Sequence, residues 1–400
     1  MEISELTALL TREGLALLDD IGGISSTAEV ARTVSRLRAA GHSPELVSAV
    51  VGQAHLRVKA RAKFGDFAER MLFTRAGLEQ ATRLTVATLH AVRMRQAGVT
   101  AVSDLGCGIG GDSLAFAGAG MRVTAVDADE VTAGIAAYNL APFGTEARVR
   151  TGLAEEWVPD PDDGPADGAV WLDPARRTAG HSETRRLSAS DWSPSLDWCF
   201  EVARQHPTGI KLGPGLDRDL IPADVEAQWV SADGSVVELV LWSGALARDG
   251  VRRSALLVSA GERHELTAAA DAGDVPVRPL GAFLHEPDGA VIRARLIGDA
   301  GRMLDAGMLD EQIAYLTGDA AVTSPFVQSF RVRETMPVHA KTISAALRAH
   351  DIGRLEIKKR GMDIDPAAFR KKLNLRGSQE ATLILTRTPA GRIAILADRV

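Results

Sequence analysis

Residues 102–113 read Val-Ser-Asp-Leu-Gly-Cys-Gly-Ile-Gly-Gly-Asp-Ser, and no other stretch restricts the fold of this chain as strongly. A short apolar run leads into Asp104, glycines follow at 106, 108 and 110, and a second apolar run, 121–126, ends on Asp127. Alternate glycines let a backbone turn sharply and approach a ligand closely, with its N–H groups free to face it. The spacing predicts the nucleotide-binding corner of a strand–turn–helix–strand unit.

The rest of the middle region fits that corner. Strands are predicted at 101–105, 122–126, 147–151, 169–172, 209–212, 226–231, 236–242 and 254–259, with helical stretches separating the first five. Such alternation implies a parallel sheet covered on both faces. The last three strands lie close together, and Asp233-Gly234 between two of them is a hairpin signal. The fold class is therefore α/β with a Rossmann-like sheet, parallel except for antiparallel last strands. Residues 1 to about 95 read as helices, with Ser26 or Thr27 as one cap and Ser43-Pro44 as another start. Arg57, Lys59, Arg61 and Lys63 are expected on a solvated helix face. The tail predicts a small α+β module, with helices at 341–350 and 366–373 and strands at 354–358, 381–386 and 392–396.

At 400 residues the chain exceeds one core. Its net charge of −6 excludes a uniformly basic coat. Residues 341–380 nevertheless hold ten Lys or Arg against five Asp or Glu, a net of +5 that leaves −11 on the remainder. A basic segment on an acidic chain suggests a module with a polyanionic partner or, equally, a charged surface helix. Cys107 and Cys199 offer neither a disulfide framework nor metal-ligand spacing, so a reducing cytoplasm and no metal are expected. The N-terminus has no basic leader, and no apolar run approaches the roughly 18 residues of a membrane span.

Gly106, Gly108 and Gly111 also satisfy the pattern of dinucleotide enzymes. Three details argue against a dinucleotide. Asp104 would repel a pyrophosphate but can meet a cation. No Lys or Arg follows the glycines, and Asp112 adds negative charge. The antiparallel end of the sheet fits another family. Asp127 can hold both hydroxyls of a ribose in either case. A ligand with a ribose, a cationic end and no phosphate is S-adenosylmethionine.

The stretch 104–113, followed by Val-Asp-Ala-Asp at 126–129, resembles the first two motifs of class I S-adenosylmethionine-dependent methyltransferases, over about 73–260. Gly110-Gly111-Asp112-Ser113, Phe116-Ala117, Asn139 and Phe73-Thr74 are similar to the branch that methylates the exocyclic amine of cap guanine in RNA. The whole chain resembles bacterial methyltransferases with a C-terminal THUMP-like domain, through Leu284-His285-Glu286-Pro287-Asp288, Ala314-Tyr315-Leu316-Thr317 and Leu355-Glu356-Ile357-Lys358-Lys359-Arg360-Gly361. The resemblance implies a helical region at 1–72, a methyltransferase domain at 73–261 and a THUMP-like module, expected to bind RNA, at 262–400. It implies that Gly106, Cys107, Gly108 and Gly110 hold the methionine end of the cofactor. Asp104 would lie near its amino group, Asp127 on the ribose, and Thr74 and Ala128 beside them. Family members usually carry an acidic residue after the third strand for the adenine amine. Here Gly152, Leu153 and Ala154 follow, with Glu155 or Glu156 as substitutes.

The fourth strand ends Asp173-Pro174-Ala175-Arg176-Arg177, where amine methyltransferases carry Asp/Asn/Ser-Pro-Pro-aromatic. An amine conjugated to a ring is a poor nucleophile, and acceptors beside it orient its N–H groups and offset developing charge. Asp173 and Pro174 keep that pattern, and Arg176 replaces the stacking aromatic as a guanidinium stack, a phosphate clamp or a loop anchor. Arg177, Trp192, Lys211, Lys358, Lys359 and Arg360 are the candidate substrate contacts. Trp192 is open to two roles, as a replacement stacking ring or as a structural one. His181, Arg185 and Arg186 lie in the polar stretch between, read as a substrate-side lid. The leading expectation is an S-adenosylmethionine-dependent RNA methyltransferase, with a guanine exocyclic amine as the candidate target. The alternatives are a catalytically silent RNA-binding protein of the same fold and a methyltransferase with a non-RNA substrate.

Overall fold

The computed structural model describes residues 1–159, 168–176 and 191–400. Six helices open the chain: α1 (Ile3–Leu9), α2 (Arg12–Ile21), α3 (Thr27–Ala39), α4 (Pro44–Phe64), α5 (Arg75–Gln80) and α6 (Leu84–Gln96). Their starts follow the sequence signals. Ser26 accepts from the Glu29 N–H while Glu29 reaches back, a capping box, and Ser43 caps α4 with Pro44 in its first turn. The apolar faces of α1 to α5 close on a core that also takes in Ile109 and Ile135, so the bundle packs on the glycine turn and the helix beyond it, while α6 buries Ala87, Ala91 and Met94 against the sheet.

The expected solvated face on α4 is corrected in part. Lys63 donates to the Leu78, Glu79 and Ala81 carbonyls, and Arg57 donates to the Met71 carbonyl and pairs with Asp19. A cation at the carboxyl end of α5 meets carbonyls that have no partner within the helix.

Strands and helices then alternate: β1 (Ala101–Leu105), α7 (Gly111–Gly118), β2 (Arg122–Asp127), α8 (Glu130–Leu140), β3 (Ala147–Thr151), β4 (Gly168–Leu172), the two-residue pair β5 (Ala175–Arg176) and β6 (Trp192–Ser193), α9 (Leu196–Gln205) and β7 (Thr208–Leu212). They are followed by β8 (Glu226–Ala232), β9 (Ser235–Trp242), β10 (Arg253–Ser259) and β11 (Glu262–Ala268). The chain divides into two compact units, Met1–Val225 with Val240–Ala247, and Glu226–Leu239 with Arg248–Val400.

In the first unit the order β7-β4-β1-β2-β3 is parallel throughout, with the end of β9 beside β7. Every residue of β7 is buried, as strands covered on both faces must be. Gly209 on β7 makes room for two rings: a Cβ there would lie 2.6 Å from Trp171 and 2.9 Å from Trp242.

In the second unit β8 turns through Asp233-Gly234 into β9, the hairpin the sequence announced. β10 runs parallel to β8, and β11 returns antiparallel from Ser259↔Glu262 to Arg253↔Ala268. The remaining elements are β12 (Phe283–Pro287), α10 (Gly289–Arg293), α11 (Ile297–Met303), β13 (Gly307–Asp310), β14 (Ile313–Gly318), β15 (Val327–Met336), α12 (Ala340–Ala349), β16 (Ile352–Lys359), α13 (Pro366–Arg370), β17 (Gln379–Thr388) and β18 (Gly391–Arg399). They build a seven-stranded sheet, β13-β14-β12-β15-β18-β17-β16, in which β16 and β17 alone are parallel. One face carries α12 and α13 over Leu355, Leu383 and Leu396; the other buries Tyr315, Phe330, Ile384 and Ile395.

Candidate active site

The carboxyl ends of β1, β2 and β4 meet at one corner, because their parallel registers set Leu105 against both Val126 and Leu172. The backbone N–H groups of Gly106 and Cys107 both donate to the Val126 carbonyl, at 2.9 and 3.0 Å. Gly106, Gly108 and Gly110 hold φ at +87°, +56° and +83°, the left-handed region that favours glycine. Gly106 is also a close approach. A Cβ there would lie 2.9 Å from the Asp173 carbonyl oxygen, and the Asp173 N–H donates to the Leu105 carbonyl at 3.2 Å. The glycine turn and the Asp173-Pro174 turn are therefore one site.

Asp104 is 1% exposed. Its Oδ2 accepts from the Ser113 hydroxyl, and its Oδ1 is buried with no hydrogen-bond partner. Burial, opposed by the Ser113 hydrogen bond and reinforced by Asp112 and Asp173, pushes its pKa up to about 8. An orphaned acceptor among carboxylates is a seat for a cation.

Asp127 stands on the other side of the turn. Its Oδ2 accepts from Gly108 N–H at 2.9 Å and its Oδ1 from Asp129 N–H at 3.0 Å. Burial raises its carboxyl, against those two hydrogen bonds. Each oxygen keeps a lone pair for a further donor. Ala128 is exposed beside it. Glu155 and Glu156 are exposed on a short turn, and Leu153, 51% exposed, presents an apolar surface next to Gly152, whose N–H donates to the Asp127 carbonyl. Cys107 is buried, and burial raises its thiol well above the usual range, so its backbone is what the turn uses.

The N-terminal helices complete the corner. Asn139 on α8 accepts from Leu72 N–H at 2.8 Å and donates to the carbonyls of Leu72 and Ile109 at 3.0 and 2.9 Å. Gln53 on α4 pairs with both backbone groups of Phe73, at 2.9 and 2.7 Å. Thr74 then caps α5 by accepting from Gly77 N–H. Asn139 was visible through family resemblance; Gln53 sits mid-helix with no motif around it and gave no signal.

On the catalytic side Pro174 is buried and Arg176 exposed, with Ala175–Arg176 paired to Trp192–Ser193. Trp192 is 4% exposed, so its ring is packed rather than presented. Arg177, His181, Arg185 and Arg186 lie outside the described residues. Lys211, expected to face an anionic substrate, is instead buried. Its ammonium lies 2.6 Å from Asp173 Oδ2, 2.8 Å from Thr82 Oγ1 and 3.3 Å from Asp112 Oδ2. A lysine on a fully buried strand has to be paired.

Asp112 faces inward, where its charge is matched by Lys211 and His90 and is still felt by Asp104. It accepts from the Thr82 hydroxyl at 2.8 Å and pairs with His90 Nδ1 at 3.0 Å. Burial alone would raise its carboxyl, but the Lys211 ammonium, His90 and Thr82 hold it well below the usual range. Nothing local in the sequence marked Thr82 or His90. Among the described residues, no group of three or more His, Cys, Asp or Glu could hold a metal ion.

The arrangement has known counterparts. A solved structure of a proposed methyltransferase from Porphyromonas gingivalis W83 superposes with a TM-score of 0.73 at 20% identity, over 90% of this chain and 91% of that one, a likeness of fold. Residues 327–399 match a family described as THUMP domain-like, and residues 2–60 match a domain of unknown function, DUF8688. Two curated relatives from Mycobacterium tuberculosis, of strains CDC 1551 / Oshkosh and ATCC 25618 / H37Rv, are each 35% identical over 367 residues, 90% of this chain and 97% of theirs. Both are named as uncharacterized S-adenosylmethionine-dependent methyltransferases. The chain belongs to the S-adenosylmethionine-dependent methyltransferases.

The methyltransferase's glycine corner fits its cofactor: the orphaned Asp104 Oδ1 would suit an ammonium, and the glycine backbone and Asp127 would suit a ribose. In its second unit the basic residues separate into two groups. Lys358 and Arg360 are not free for a substrate, which corrects the expectation. Both pair with Glu286, at 2.6 and 3.3 Å, and lie over the rings of Phe330 and Tyr315. Lys359, one residue out of phase, points the other way, as strand alternation requires, and is exposed. Lys359, Lys371, Lys372 and Arg376 are exposed and have no carboxylate partner among the described residues. No helix among the described residues is long and apolar enough to cross a membrane.

Proposed function

We propose that this methyltransferase acts on RNA, at a nitrogen such as the exocyclic amine of guanine. The observation that carries the reading is the THUMP domain-like match over 327–399, a stretch that includes the exposed, unpaired cations Lys359, Lys371, Lys372 and Arg376. Cations free of carboxylates are the ones available to phosphates. They would draw the polyanion to the protein, while Arg176, exposed beside the Asp173-Pro174 turn, would steady it by stacking or by clamping a phosphate.

S-adenosylmethionine, when bound, supplies an electrophilic methyl group on a sulfonium. This chain's residues do the rest. Asp104 and the glycine turn orient the methionine end, and Asp127 takes the ribose hydroxyls. Asp173 accepts a hydrogen bond from the attacking nitrogen and so aims that nitrogen's lone pair at the methyl group, and the proton released from the methylated nitrogen passes to solvent. In-line transfer needs positioning above all.

Nucleoside mass spectrometry of RNA from a strain lacking the protein tests this reading. One methylated nucleoside should fall away relative to the parent strain and return with the wild-type gene but not with Asp173→Ala. Identical nucleoside profiles in the two strains would reject RNA as the substrate.

A further inference from the structure

A buried polar chain runs behind the active site and joins two motif residues, Asp112 and Asp173, through His90 and Lys211, which belong to none. It begins at His90 on α6, which lies against Trp171 with ring centroids 4.7 Å apart and meets Asp112 Oδ1 at 3.0 Å. Asp112, in the first turn of α7, shares its other oxygen between the Thr82 hydroxyl and the Lys211 ammonium. Lys211, on β7, holds Asp173 at 2.6 Å. The side chains of His90, Asp112 and Lys211 are 2%, 7% and 10% exposed, whereas that of Asp173 is 36% exposed. The chain is closed at His90 and opens to solvent at Asp173.

Two features of this geometry bear on the reaction. The first is ionisation. Asp104, Asp112 and Asp173 gather at this corner, and Lys211 is coupled to all three. An ammonium at contact distance favours the ionised carboxylate. An ionised carboxylate only accepts hydrogen bonds. The second is orientation. Asp173 follows the last residue of β4 and opens the turn. Lys211 ties one of its oxygens to a buried strand, and Asp112 and Thr82 fix Lys211 in turn.

We propose that Lys211 is a positioning residue for methyl transfer, holding the Asp173 carboxylate ionised and fixed as an acceptor for the hydrogen on the attacking atom. Lys211 thus acts through Asp173 and not on the substrate's phosphates. The inference rests on the reading that Asp173 meets the nucleophile, and it excludes attack by a ring nitrogen that carries no hydrogen.

The test uses the full chain, S-adenosylmethionine and total RNA from a strain lacking the protein. Lys211→Met should lower kcat by about 100-fold, the scale of a small misplacement of a reacting group, and leave the KM for RNA and the cofactor Kd within about threefold. Lys211→Gln should behave alike, and it keeps a polar group at the buried position if the methionine variant does not fold. Lys211→Arg should recover most of the rate. A raised KM with kcat intact would make Lys211 a substrate contact and overturn the proposal. So would a kcat within about threefold of wild type in the neutral variants, or cofactor affinity lost in step with rate. Asp173→Ala separates the two readings. If it is inactive while Lys211→Met is normal, the Lys211 proposal alone falls; if it is fully active, the role given to Asp173 falls with it.

Discussion

The Asp104 carboxylate is buried between Asp112 and Asp173, and its Oδ1 has no donor. With its pKa pushed up to about 8, it holds a proton in the folded protein at pH values where the unfolded chain has released it. The sign follows directly: its contribution to stability is present at low pH and is lost as pH rises from the ordinary aspartate value through about 8. In the proposed site a cationic cofactor group would favour the ionised form, so binding would expel the proton. Calorimetry should find S-adenosylmethionine affinity rising about tenfold per pH unit toward pH 8 and levelling above it. Asp104→Asn should bind more weakly at high pH and lose the slope; an unchanged slope in that variant would take Asp104 out of the site. Asp104 and Asp173 were legible in the sequence because each sits beside a glycine or proline that shapes its turn, and Asp127 because it ends an apolar run. That Lys211 would pair with Asp173, Asp112 and Thr82 was not. Thr82, Asp112 and Asp173 come from three distant segments, and only the closed sheet brings them together.

At the scale of elements, helices with caps and strands with continuous apolar runs appeared where the sequence placed them. No element was placed over 262–336, where β11 to β15, α10 and α11 lie; β11, Glu-Arg-His-Glu-Leu-Thr-Ala, is a polar, exposed edge strand that shows itself through its pairing with β10. That edge is tied down by charge. Glu226 is 0% exposed, and Arg248 bridges it to Glu265 at 2.6 and 2.7 Å. Removing one partner of a buried pair strands the other. Arg248→Met is expected to destabilise the protein by about 3 kcal/mol in urea unfolding. Glu265→Gln, which leaves the Arg248–Glu226 pair intact, should cost much less. Equal losses in the two variants would contradict the assignment of Glu226 as the costly buried charge.

On the scale of the whole molecule, the chain joins a methyltransferase unit to a second unit whose THUMP domain-like stretch, 327–399, is net basic, with 15 Lys or Arg against 7 Asp or Glu. The sequence showed this excess but not which cations are free, because Glu286, which engages Lys358 and Arg360, lies some 70 residues upstream. The central claim is that S-adenosylmethionine held at the Asp104–Asp127 turn gives its methyl group to RNA at Asp173. Transfer of tritiated methyl from S-adenosylmethionine to RNA from a strain lacking the protein tests it most directly, with wild type, Asp127→Ala and Asp173→Ala compared. The account predicts label in RNA with wild type and at most about 1% of that rate with either variant, with cofactor binding lost only in Asp127→Ala. Label entering RNA equally with all three proteins, or entering none with wild type, would contradict it.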